Sequence, residues 1–167
     1  MKIDNITLAL LSIEDALKVY LDDNGWKREY TMAIAGDRKL RNKEIVERVS
    51  NPSKQIGLPL ITIESGPVRN ELSELGSSGN DVVTASIIIR ALDHTQMITL
   101  GNTIRRKLTD LSFDIYDLTS PLKGTLGTGL SYDTILDDLS DWNADNLGER
   151  HVSLISTILE FTSQDLL

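Results

Sequence analysis

The sequence predicts an α+β fold: a mostly antiparallel β-sheet packed against an N-terminal helix and a central helix at about residues 95–108. Three observations carry this. Apolar residues at the start recur at spacings of three and four, a long β-branched run sits mid-chain, and the elements do not alternate as the βαβ units of a parallel sheet would. The chain has 167 residues, 40% of them hydrophobic and none of them cysteine. That suits a single domain, residues 1–167, with a core large enough to fold without metal or disulfides.

The first helix is carried by Ile6, Leu10, Ile13, Leu17 and Leu21, which form one apolar stripe, with Asp4 or Asn5 as cap and Asn24-Gly25 as a left-handed stop. Ser12-Ile13-Glu14-Asp15 also reads as a cap, so a start at Ile13 competes. Residues 26–55 form a variable segment in which Trp26, Tyr30, Met32 and Ile34 alternate as a short strand and residues 42–49 suit one or two helical turns. Its basic cluster, Arg38, Lys39, Arg41 and Lys43, is balanced by Asp37, Glu44 and Glu47, as in a solvated loop. Leu58 to Glu64 reads as a strand stopped by Ser65-Gly66-Pro67, with Val68 to Leu75 available as a returning strand. Gly76, Ser77, Ser78, Gly79, Asn80 and Asp81 are turn residues and mark a loop. Val82 to Leu92 is the strongest strand, and its β-branched content suggests a central position.

Asp93-His94-Thr95 then caps the central helix. Its apolar face is Met97, Leu100, Ile104 and Leu108, joined by Ile98, and Arg105, Arg106 and Lys107 complement the dipole in its last turns. Phe113 to Leu118 is a further strand. Residues 119–150 read as a long acidic loop, and His151 to Phe161 as the closing strand.

Charge and motifs narrow the chemistry. The net charge is −8, and residues 110–167 hold two basic against eleven acidic side chains, Asp133, Asp137, Asp138, Asp141 and Asp145 among them. Such a surface repels phosphate backbones, which argues against reading DNA in a groove, while a negative wall would let DNA slide past without sticking. Gly124-Thr125-Leu126-Gly127-Thr128-Gly129 lacks both the Gly-Lys-Ser/Thr of a phosphate loop and the strand-to-helix setting of a dinucleotide fingerprint, so it reads as a turn. Asp141-Trp142-Asn143-Ala144-Asp145 has the alternating oxygens of a calcium loop, but Asn146 stands where Gly is needed and Val152 where the bidentate Glu belongs. The two histidines, His94 and His151, lie at element edges with no helical spacing between them, and no metal or cofactor site is assigned. No Gly-x-Ser-x-Gly elbow is present, and abundant Asp is not a catalytic dyad without burial, so no catalytic residue is assigned and no enzyme is expected. No run approaches a membrane span. The acid at Asp4 and the break at Ser12 also fail the pattern of a secretory signal, so the expectation is synthesis in the cytoplasm.

The order of an N-terminal helix, Leu58-Pro59-Leu60-Ile61-Thr62-Ile63, a strand ending Ile87-Ile88-Ile89-Arg90-Ala91-Leu92-Asp93, a helix from Thr95 to Leu108 and a closing strand from Val152 to Phe161 resembles the tail terminator, or tail completion, family of tailed bacteriophages. The resemblance covers roughly residues 1–25 and 56–163 and rests on element order and hydrophobic pattern, not on an invariant motif. It implies a structural virion protein without catalysis. Such a protein forms a ring, expected to be a hexamer, on the finished tail tube, ends its growth and joins the tail to the head or neck. The implied partners are other copies of the chain, the tail tube protein and a head–tail connector or neck protein, with DNA passing nearby and not bound specifically. On this reading residues 76–81 are an assembly loop, and Asp133 to Asp145 an acidic segment facing the lumen. Another connector of the same particle, such as a head–tail adaptor or baseplate component, and a small α+β ligand-binding protein or enzyme stay open as alternatives.

Overall fold

The computed structural model describes residues 5–27, 29–34, 59–71, 80–109, 111–116, 124–138 and 151–162. Within them lie α1 (Asn5–Asp23), β1 (Thr31–Ile34), β2 (Leu60–Glu71), β3 (Asn80–Ala91), α2 (His94–Leu108), β4 (Leu111–Tyr116), β5 (Thr125–Asp138) and β6 (His151–Thr162). The strands form one sheet in the order β1-β2-β3-β6-β5-β4. Every neighbouring pair is antiparallel except β1 and β2 at one edge. The fold is therefore α+β, as the pattern predicts.

The apolar stripe of α1 is fully buried at Ile13, Leu17 and Leu21. The helix runs through Ser12, whose hydroxyl donates to the Leu8 carbonyl at 2.8 Å, so the competing start at Ile13 is not used. Its end follows the Asn24-Gly25 signal. Gly25 takes φ +91°, the Trp26 N–H reaches back to the Leu21 carbonyl at 3.0 Å and the Gly25 N–H to the Asp22 carbonyl at 3.4 Å, the bond pair of a Schellman motif. In α2 the Asp93 carboxylate accepts from the Gln96 N–H at 2.7 Å and the Gln96 side chain accepts from the Leu92 N–H at 2.9 Å, so both groups close the helix start. Met97, Leu100, Ile104 and Leu108 are completely buried.

Both helices lie on one face of the sheet. Val83, Ala85, Ile87 and Ile89 of β3 and Ile155 and Leu159 of β6 point into one cluster with Ile13, Leu17, Leu100 and Ile104. Because α1 touches β1 and β2 near one edge and β4 at the other, the sheet curls around this helix. Bulges in β2 and β5 sharpen that curl.

Several expectations are corrected. Ser65-Gly66-Pro67 does not end a strand. Ser65 pairs with Ala85 and Val68 with Val83, so Gly66 and Pro67 together oppose Thr84, and β2 continues through a bulge to Glu71 as one strand instead of two. Glycine is needed there because a Cβ on Gly66 would lie 2.7 Å from the Thr84 carbonyl oxygen. The expected strand between Trp26 and Ile34 is confined to Thr31–Ile34. The strand expected at Phe113 to Leu118 begins earlier, at Leu111. The largest difference lies within residues 119–150, where β5 occupies Thr125–Asp138 in place of a loop. The helical turns expected at residues 42–49 lie outside the described residues.

Candidate functional site

Because strand side chains alternate, the face of the sheet opposite the helices is set by the ladder register. On β3 it carries Thr84, Ser86, Ile88 and Arg90, and their partners on β6 are Ile158, Ser156, Leu154 and Val152. On β5 the same face receives Leu130 opposite Glu160, Tyr132 opposite Ile158, Ile135 opposite Ser156 and Asp137 opposite Leu154. Neither helix packs on it. Ile88, Leu154 and Ile158 are half-buried, while Leu130 is 51% and Ile135 58% exposed. Two large apolar side chains on one strand therefore meet solvent, the composition of a surface that another protein covers.

The β5 bulge aims these side chains. Tyr132 pairs with Ile158 and Ile135 with Ser156, so Asp133 and Thr134 together oppose Thr157, and Asp133 adopts φ +50°, a conformation Asp tolerates better than most residues. Hydroxyls tie the bulge down. Thr134 and Thr157 share a hydrogen bond of 2.9 Å, Thr157 donates to the Tyr132 carbonyl at 3.2 Å, and the Tyr132 phenol donates to Glu160 at 3.0 Å.

The structure disperses the acidic residues that the sequence groups. Asp133, Asp137 and Asp138 are all exposed on β5, but Asp137 opposes Leu154 and Asp138 opposes Ser153, so they point to opposite faces. Asp141 and Asp145 lie outside the described residues, as do Gly76, Ser77, Ser78 and Gly79. Asn80 and Asp81 are not loop residues. They begin β3, paired to Glu71 and Asn70 on one side and to Thr162 and Phe161 on the other. The glycine run also has a structural use, since a Cβ on Gly129 would lie 2.5 Å from the Phe113 ring.

A groove of about 690 Å3 opens between α1 and the edge strand β4, lined among others by Ser12, Asp15, Lys18, Lys107, Phe113 and Tyr116. Three of the polar groups named are engaged with the protein itself. The Ser12 hydroxyl donates to Leu8 and accepts from the Tyr116 N–H at 3.1 Å, Lys18 pairs with Glu14, and the Lys107 ammonium lies 5.0 Å from the centre of the Tyr20 ring. With its proton committed to a backbone carbonyl, Ser12 is not an activated nucleophile.

No group of three or more His, Cys, Asp or Glu among the described residues is placed to hold a metal ion. The two histidines, which have no helical spacing in the sequence, are brought together by folding. Their ring centres lie 6.2 Å apart with planes at 71°. No helix among the described residues is long and apolar enough to cross a membrane. No protein-family model matches the chain, and no curated protein matches it significantly.

Proposed function

We propose that this chain is a structural protein of a tailed-bacteriophage particle that assembles as a ring on the tail tube, ends its elongation and joins the tail to the neck. The observation that carries the reading is the helix-free sheet face, on which exposed Leu130 and Ile135 form a surface suited to a protein partner. The order of elements adds to it, since α1, β2, β3, α2 and β6 follow one another as in the tail terminator family that the sequence resembles. A rotationally symmetric ring uses heterologous contacts, and a curled sheet with two different edges and one uncovered face offers complementary surfaces for them. In this role Asp133, exposed at the β5 bulge, adds to the negative charge that keeps the assembled particle from adhering to passing DNA. The α1/β4 groove gives little support to an enzyme, because its Ser12, Lys18 and Lys107 are already engaged by the protein's own groups.

The deciding experiment is multi-angle light scattering of the purified chain over a concentration range, alone and with tail tubes, followed by electron microscopy. Closed rings, formed in solution or only on tube ends, are expected. A chain that remains monomeric and leaves tube ends bare overturns the reading. Co-purification with heads lacking tails would instead indicate another connector of the same particle.

A further inference from the structure

The chain contains only two histidines, and folding brings both to one end of the sheet although 56 residues separate them. Their backbones are held by different elements that meet there. His151 opens β6 and pairs with Ala91 at the end of β3, and His94 opens α2 three residues beyond Ala91, behind the Asp93 cap. His94 is exposed and His151 half-buried, so the site is open to solvent. Among the described residues neither imidazole is engaged by a hydrogen bond or an ion pair.

The spacing suits one metal ion. Metal–nitrogen bonds of about 2.0–2.1 Å place the centres of two imidazoles that share an ion roughly 5–6 Å apart. The observed 6.2 Å, with ring planes at 71°, lies just outside that range, so binding requires the rings to reorient. The positive end of α2 opposes a cation at this point, and the Asp93 carboxylate, adjacent in sequence, offsets it. Imidazole nitrogen selects borderline ions of the late first row over Mg2+ or Ca2+, which require oxygen ligands.

We propose that His94 and His151 form a two-imidazole site for a divalent ion such as Zn2+, Ni2+ or Cu2+, with its remaining coordination positions open to water or to a ligand from another molecule. The bound ion clips the start of α2 to the start of β6. The inference stands apart from the role in a phage particle and is tested on the chain alone.

The test is calorimetric titration of the purified chain with Zn2+ at pH 7.5, with side-chain imidazole NMR and thermal unfolding as further readouts. One ion per chain is expected, with both imidazoles shifted, a raised Tm and no competition from excess Mg2+. Replacing the exposed residue, His94→Gln, leaves the fold intact by circular dichroism and weakens zinc binding at least about tenfold, and His151→Gln does the same. Absence of binding at 0.1 mM zinc, or binding that survives His94→Gln undiminished, overturns the proposal.

Discussion

Gly129 and Ser12 show how single atoms hold this sheet. The Phe113 ring lies over Gly129, so Gly129→Ala forces a buried aromatic ring to move and is expected to lower stability by about 1–3 kcal/mol in urea unfolding. Adding Phe113→Leu should restore part of that loss, and the two changes will not add. Ser12 joins α1 to β4 by accepting from the Tyr116 N–H while donating to its own helix. Ser12→Ala removes both bonds and is expected to cost about 1–3 kcal/mol, with faster amide exchange at Tyr116 as the local sign. Neither role was legible in the sequence, because each depends on a partner brought close by folding: Tyr116 lies 104 positions from Ser12. The core positions were legible. Ile13, Leu17, Leu21, Leu100, Ile104 and Leu108 follow helical spacing and are all completely buried.

At the scale of elements, local punctuation was readable where it acts locally. Asp93 caps α2 as its sequence position suggests, and Asp93→Ala is expected to cost about 1 kcal/mol, read as a lower urea midpoint with an unchanged slope. The same punctuation misleads inside strands. Ser65-Gly66-Pro67 has the composition of a turn, but its neighbours are already paired to β3, so the chain bulges and continues. In β5 the glycines and acids suggest a loop, whereas Gly129 makes room for a ring and Asp133 sits in a bulge while the backbone stays laddered to β6. Long-range pairing overrides composition in both places. The candidate surface was missed for the same reason, since Leu130 and Ile135 share a face only once β5 is known to be a strand.

At the scale of the whole molecule, the fold class was legible from the order of elements, but the strand order was not. The central position of β3 is visible in its β-branched run, whereas β6 is placed beside it only by tertiary pairing. The helix-free face gives the prediction that belongs to this scale. Leu130→Lys combined with Ile135→Lys should change the stability of the isolated chain by less than about 1 kcal/mol, because both side chains are already exposed, and should abolish rings in light scattering. Rings that persist in the double variant would move the contact surface elsewhere on the molecule.

The position of β6 also governs how the molecule is made. This strand is synthesised after every other described element, yet it is the only link in the sheet between the β1-β2-β3 half and the β5-β4 half. Until β6 is available, the edges of β3 and β5 that it covers have no partner, so the sheet cannot close before that strand is made. At roughly 5–20 residues added per second, that exposure lasts for seconds. An open edge of this kind accepts any matching strand, so exchange of β6 between molecules is expected to rise with concentration during refolding, read as dimers in light scattering.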